Sequence, residues 1–270
     1  MDDVFAEVAT LRALFMRALR ASFSYKPALL MSMLSAGFAY AIPMLVWSHI
    51  YGANQLKPTL PAESLFPYLL IAGCLNFTFA MNVEWRIGQR IRMGLIAIDL
   101  LRPVDFQLAQ LAQALSDGLF NIVLVLPIYV LTLLFWGGHA LPHGAAALAA
   151  FFVSVLLSFV ILFAVSYVFV QASFVTYSGY GVFVARNALQ QTFSGLSAPL
   201  ILFPARLRAV AEWLPFRHTI HTPVSIYLGW LRGAEVWRAL AAQAAWAIAL
   251  LALGRFLLGR ALRRFEIQGG

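Results

Sequence analysis

The sequence has few charged residues and, over one long stretch, none at all. Charged residues make up 11% of the chain, whereas soluble domains contain about 25%. Between Asp117 and Arg186 there is no Asp, Glu, Lys or Arg, and only a glycine- and histidine-containing segment at 137–144 interrupts the apolar sequence. A helix needs about 20 apolar residues to cross a bilayer. The stretch therefore predicts two membrane spans joined by a short hairpin, and it excludes a water-soluble fold.

Further charge-free windows predict four more spans. They occupy 27–56, 64–83, 187–205 and 239–254. The last window is short, but Arg238 and Arg255 at its ends can extend to the two interfaces. The sequence thus predicts an all-α membrane protein with six transmembrane helices, which occupy a domain at 27–270.

Cysteine is nearly absent, and no phosphate-binding loop is present. The single cysteine, Cys74, lies in the second predicted span, so no internal disulfide can form. No G-x-x-x-x-G-K-[ST] motif occurs, and the glycines do not follow a strand–loop–helix pattern. Nucleotide hydrolysis is therefore not expected on this chain, and neither is a cofactor.

Metal and protease chemistry have little support in the sequence. Two pairs of histidines are closely spaced in the sequence: His139 with His143, and His218 with His221. Neither pair has a neighbouring carboxylate or thiol that would complete a metal site. A serine nucleophile at Ser197 would need a histidine within a span, and only His49 is near one. We expect no metal site and no catalytic residue.

The basic residues indicate how the chain crosses the membrane. With both termini in the cytoplasm, most of the 19 Lys and Arg residues fall in cytoplasmic segments. Five arginines after residue 205 face outward in this topology: Arg206, Arg208, Arg217, Arg232 and Arg238. The net charge of +8 lies beside apolar spans, so membrane lipid explains it better than nucleic acid.

Residues 1–26 are predicted to form a separate amphipathic helix. Apolar residues recur there at helical spacing: Val4, Val8, Leu11, Phe15 and Leu19. The helix either lies in the cytoplasmic membrane interface and leads into the first span or packs its apolar face on the protein itself. The sequence leaves both interpretations open.

The polar segment at 84–117, between the second and third spans, is the most informative one. The residue before a proline is disfavoured in a helix, so a basic helix is predicted to end at Arg102. Pro103 suits the first position of the next helix, Asp105 favours its positive end, and this helix can continue to Trp136. It is longer than the hydrocarbon core and must begin outside it. The two helices form an elbow, at residues 86–103, that a cytoplasmic partner could move; an ordinary positive-inside loop is the alternative.

Two patches resemble the permease subunits of ABC-2 type transporters, bacterial ABC exporters whose membrane subunit has six spans. The first is Ile91-Arg92-Met93-Gly94 followed by Leu100-Leu101-Arg102-Pro103. The second consists of Ser194-Gly195, Pro199, Phe203-Pro204, Leu214-Pro215-Phe216, Thr222-Pro223 and Tyr227-Leu228-Gly229. The general layout covers nearly the whole chain.

The resemblance implies a function and two sites. The N-terminal helix and a cytoplasmic coupling helix in the elbow would contact a separate ATP-binding subunit, which carries ATP and Mg²⁺. The coupling residues would be Arg86, Arg90, Arg92, Gly94, Arg102 and Pro103. Residues 204–236, the proline segment, would form short re-entrant outer helices before the last span, with Pro204, Pro215, Phe216, Pro223 and Gly229 as its marked positions.

The same resemblance implies an assembly of two permeases, identical or related, with the export pathway between them in a bacterial inner membrane. Two other classes compete with this interpretation. A membrane scaffold or assembly protein would have no ATPase partner. A secondary transporter usually contains internal repeats, and the first three and last three predicted spans show none.

Overall fold

The computed structural model describes residues 2–24, 26–52, 60–136, 142, 144–176 and 179–263. Within these ranges every regular element is helical. Two short 3₁₀ helices, Leu200–Leu202 and Pro215–His218, accompany the α-helices. The α-helices are α1 (Asp2–Ser24), α2 (Lys26–Gly52), α3 (Ala62–Thr78), α4 (Val83–Arg92), α5 (Ile96–Leu100), α6 (Phe106–Trp136), α7 (Ala145–Val170), α8 (Ser173–Thr176), α9 (Gly179–Phe193), α10 (Ala205–Trp213), α11 (His221–Tyr227) and α12 (Ala234–Leu262).

Four stretches of the described residues are long and apolar enough to cross a membrane: Ala62–Arg92, Phe106–Pro127, Ala145–Val170 and Ala234–Leu262. The first of them includes the short break between α3 and α4. Helix α2 has 27 residues and is therefore also long enough to cross a membrane. The chain is a multi-pass membrane protein.

The window at 187–205 does not form the continuous helix that was expected there. Helix α9 has 15 residues and ends at Phe193, which gives it a length of about 22 Å at about 1.5 Å per residue. Gly195 then adopts φ +81°, a left-handed conformation, and Pro199 precedes a 3₁₀ turn. These two residues end the helix well before residue 205.

Helix α7 lies at the centre of the structure. It packs against α12, α11, α4 and α9. Phe163, Ala164 and Tyr167 on this helix are completely buried. Because α7 has no charged residue, it can be enclosed by other helices without a desolvation cost for ions.

Helix α1 packs along α6. Leu11, Phe15 and Leu19 are half-buried, whereas Val8 is exposed. The hairpin expected at 137–144, with His139 and His143, lies outside the described residues except for Pro142 and Gly144.

Candidate functional site

The elbow bends at a glycine rather than at the proline that the sequence favoured. Helix α4 ends at Arg92, and Gly94 has φ +70°, a conformation that disfavours any residue with a Cβ. The short helix α5 follows and ends at Leu100. The prediction of one helix ending at Arg102 is therefore wrong, because α4 ends ten residues earlier along the chain, just before the glycine turn.

The next helix begins after Pro103, at Phe106. The Val104 N–H donates to the Arg102 carbonyl at 2.8 Å, which closes a three-residue turn around Pro103. The Asp105 carboxylate accepts a hydrogen bond from the Leu108 N–H at 2.9 Å and so caps the helix. Asp105 thus has the predicted role at the positive helix end, whereas the predicted helix start at Pro103 is wrong.

Three of the four elbow arginines face acidic residues of the protein. Arg86 Nη1 lies 2.9 Å from Asp117 Oδ2 on α6. Arg90 pairs with Asp99 through two contacts, including Nη2 to Oδ1 at 2.8 Å. Arg102 Nη2 lies 3.5 Å from the same Asp99 carboxylate. These pairs tie α4 to α5 and to α6, and so they fix the bend of the elbow.

The elbow also carries a set of exposed residues, most of them apolar. We call it the elbow tip: Arg92, Met93, Leu95, Ile98 and Leu101. Leu101 is 85% exposed and Met93 is 64% exposed. Arg92 donates to its neighbour Gln89 at 2.7 Å, and Gly94 and Pro103 are exposed beside the tip. A cluster of exposed apolar residues on a rigid base has the character of a protein contact surface.

A buried ion pair connects the base of the elbow to α9. Arg186 Nε donates to Glu84 Oε1 at 2.7 Å, and both side chains are almost inaccessible. The Arg186 guanidinium also lies over the Phe183 ring, 5.4 Å from its centroid. From the sequence, Arg186 is expected among the cytoplasmic positive charges, and Glu84 has no predicted partner.

The same two helices touch through glycines. A Cβ on Gly88 would lie 2.3 Å from the Gly179 Cα, and a Cβ on Gly179 would lie 2.6 Å from the Glu84 carbonyl oxygen. Only two glycines allow this approach, which resembles the small-residue contacts of membrane helices. The ion pair and the glycine contact together hold α4 against α9.

The proline segment consists of three short helical pieces packed on the protein. Pro204 precedes α10 and is exposed, Pro215 begins a 3₁₀ helix, and Phe216 packs against Ile161 and Ala247 in the core. Pro223 is buried in α11. Gly229 has φ +71°, and its carbonyl accepts a hydrogen bond from Arg232 Nε at 2.7 Å.

Neutral hydrogen bonds attach the proline segment to α7 and α12. Gln243 Nε2 donates to the His218 carbonyl at 2.8 Å and lies 2.9 Å from Ser158 Oγ. Gln243 Oε1 accepts a hydrogen bond from Ser154 Oγ at 2.9 Å. All of these groups are buried and satisfy one another, as buried polar groups must. The sequence analysis did not single out Gln243.

A second set of neutral contacts joins the proline segment to α3. The Tyr68 hydroxyl donates to the Gly195 carbonyl at 2.8 Å. It therefore accepts from His221 Nδ1, which lies 3.1 Å away. The Trp230 ring stacks on Tyr68 with 5.3 Å between centroids.

Burial keeps the two histidines of this segment neutral. It lowers the pKa of His218 to about 4 and the pKa of His221 to about 3, and the nearby Arg217 charge acts in the same direction. His218 Nδ1 lies 3.2 Å from Thr222 Oγ1. Each histidine thus uses a ring nitrogen in a hydrogen bond, and the described residues contain no group of three possible metal ligands.

The elbow and the proline segment contact different parts of α7. Ser158 donates to the His218 carbonyl of the proline segment at 2.8 Å. Near the other end of α7, the Tyr167 ring lies 6.3 Å from Phe106, which begins α6 directly after the elbow. Nine helical residues separate these two points, so they lie about 14 Å apart along α7. Of the six elbow residues, Arg90 and Arg102 share the Asp99 carboxylate, whereas Arg92 and Gly94 are exposed at the bend.

A family model described as "ABC-2 family transporter protein" matches residues 59–269. The matched region contains the elbow, the buried Glu84–Arg186 pair and the proline segment, and it leaves out α1. A search of curated proteins found no match.

Proposed function

The chain belongs to the ABC-2 family of transporter proteins, and from that premise we propose that it is the permease subunit of an ATP-driven exporter. A separate ABC subunit would bind ATP and Mg²⁺ and hydrolyse the nucleotide. The observation that carries the proposal is the elbow tip, an exposed apolar surface on a base held by its own ion pairs. Family membership makes a transport subunit the best explanation of such a surface.

The ATPase would contact the elbow tip rather than the full set of elbow arginines. Arg86, Arg90 and Arg102 already have acidic partners within the chain. Arg92 and the exposed side chain of Leu101 are available to a partner. We therefore assign the arginine pairs to the shape of the elbow and the tip to recognition of the ATPase.

Movement of the elbow would reach the membrane helices through three contacts. The Arg86–Asp117 pair connects it to α6. The Glu84–Arg186 pair and the glycine contact connect it to α9. Closure of the ATPase subunits would thereby tilt α6 and α9 and open a route at the permease interface.

Two permeases, identical or related, would form the pathway. Helix α2 exposes an apolar stripe at helical spacing, made of Met31, Leu34, Phe38, Ile42 and Leu45. Helix α9 exposes Tyr180 and Val184, one helical turn apart. We propose that these two faces meet the second permease. The assembly would lie in a bacterial inner membrane with both termini in the cytoplasm and the proline segment re-entering from the outer side.

The test is copurification with the ATPase encoded beside this chain. We expect Arg92→Glu combined with Leu101→Glu to abolish copurification, because charge and lost apolar area both oppose docking. The matched control is Arg206→Glu with Leu207→Glu on exposed α10, which should retain the ATPase. Unchanged ATPase binding and ATP-dependent transport in the tip variant would refute the proposal.

A further inference from the structure

A cationic cleft lies between α1 and the elbow. It has a volume of about 550 Å³. Four arginines line it: Arg17, Arg86, Arg90 and Arg102. Among the described residues that line the cleft, Asp99 is the one with an acidic side chain. Helix α6 adds the polar side chains of Gln110 and Gln113 to the lining, and α1 adds the apolar side chains of Leu14 and Ala18. The cleft is thus positively charged and amphiphilic.

Hydrogen-bonding groups in this cleft lack partners. Arg86 uses Nη1 for Asp117, whereas its Nε and Nη2 are buried and find no hydrogen-bond partner among the residues that the structure describes. Gln110 is 4% exposed, and within the same described part of the chain its Oε1 also lacks a partner. Buried polar atoms normally have a partner, so unsatisfied donors and an unsatisfied acceptor in one cleft indicate a ligand.

We infer that this cleft binds the phosphate of an anionic phospholipid headgroup. Two guanidinium N–H groups on one edge match two oxygens of a phosphate. A hydroxyl of a headgroup such as phosphatidylglycerol would donate to Gln110 Oε1. The apolar lining from α1, including Leu14 and Ala18, gives a lipid tail a surface that a free phosphate would not use. Basic pockets between helices at the membrane surface bind anionic headgroups for the same reasons.

Two variants separate this role from folding. Arg17→Gln removes one cation of the cleft from the exposed face of α1. Arg86→Lys keeps a cation beside Asp117 and removes the planar guanidinium edge formed by Nε–H and Nη2–H. The matched control is Arg12→Gln, which makes the same charge change on α1 but at an exposed position outside the cleft.

The experiment measures lipid retention by native mass spectrometry. Wild-type protein and variants in neutral detergent receive equal mole fractions of phosphatidylglycerol or phosphatidylcholine. We expect wild type and Arg12→Gln to retain phosphatidylglycerol, and Arg17→Gln and Arg86→Lys to retain about ten-fold less, as the loss of a charged hydrogen bond implies. Phosphatidylcholine should bind weakly to all four proteins.

Three outcomes would overturn the inference. Equal phosphatidylglycerol retention by all four proteins would show that the lipid does not bind in this cleft. Full displacement of the lipid by millimolar inorganic phosphate or glycerol 3-phosphate would assign the cleft to a soluble anion. Loss of ATPase copurification in Arg17→Gln, with lipid retention unchanged, would assign the cleft to the ATPase. The lipid measurement uses no ATPase, so its result is independent of the proposed export function.

Discussion

The elbow and the proline segment are both chains of short helices broken at glycine and proline, yet different forces hold them. The elbow is held by ion pairs between Arg86 and Asp117 and between Arg90 and Asp99, all partly open to solvent. In the proline segment the attachments are neutral hydrogen bonds and ring contacts, made by Gln243, Tyr68 and other buried groups. The desolvation free energy of an ion pair is small near water and large in the protein interior. The difference indicates that the contacts holding the proline segment lie away from water, whereas the Arg86 and Arg90 pairs of the elbow lie closer to it.

The proposed topology places the two regions on opposite sides of the membrane. Thiol labelling in intact cells should therefore show the largest difference between them. With Cys74 replaced by serine, a cysteine at Met93 should be protected from an impermeant thiol reagent in intact cells. A cysteine at Ala209, exposed on α10, should be labelled. The measurement is the mass shift of the purified protein, and both sites should react after the membrane is permeabilised. Labelling at Met93 alone would invert the topology.

Breaking the buried ion pair at the base of the elbow should have the next largest effect, a loss of stability. Arg186→Gln leaves Glu84 buried without a counter-charge and should lower the free energy of unfolding by about 3–5 kcal/mol. The double variant Glu84→Gln with Arg186→Gln should recover much of this loss, because no buried ion remains. Thermal unfolding in detergent measures both, with exposed Arg206→Gln as the control. A double variant as unstable as the sum of its singles would contradict the pairing.

Removing the central amide of the proline segment should have a smaller effect. Gln243→Leu leaves the Ser154 hydroxyl and the His218 carbonyl with fewer partners, at a cost of about 1–3 kcal/mol. Gln191→Leu is the matched control, since Gln191 is exposed. The same thermal unfolding assay applies. Equal stability of the two variants would show that the network does not stabilise the attachment.

The smallest difference compares Gly94 of the elbow with Gly195, which precedes the proline segment and contacts Tyr68. A Cβ on Gly195 would lie 2.5 Å from the Tyr68 hydroxyl, whereas a Cβ on Gly94 would meet nothing within 4 Å. Both glycines have positive φ, so Gly94→Ala should cost about 1–2 kcal/mol from the backbone alone. Gly195→Ala should cost more than Gly94→Ala because it also displaces Tyr68. If Gly195→Ala unfolded at a higher temperature than Gly94→Ala, the contact with Tyr68 would not limit the side chain at position 195.

The sequence predicted the parts of the fold that depend on local composition. The charge-free stretch after Asp117 corresponds to most of α6 and to α7, because desolvation of ions forbids charges there. Asp105 indicated a helix start, since capping is a local interaction. The bend of the elbow was misplaced because both Gly94 and Pro103 can end a helix, and only packing decides which one does.

Contacts between distant residues could not be predicted. Arg186 follows a charge-free stretch and reads as a loop residue, but its partner Glu84 lies 102 residues away along the chain. Gly88 and Gly179 carry no signal until the helices that contain them are known to cross. The elbow arginines were predicted as one surface, whereas the structure divides them between paired positions and the exposed Arg92 because α5 supplies Asp99.

The glycine contact between α4 and α9 has a mechanical consequence. No side chain separates the two backbones at Gly88 and Gly179, so this point can serve as a fulcrum about which α4 rotates. The bend at Gly94 lies about 9 Å from it at about 1.5 Å per residue. A rotation of roughly 10° would move the bend by about 1.5 Å, a shift of the size seen when helices slide at interfaces. In the proposed exporter, a short arm of this kind would convert a small displacement of the elbow into torque on α9.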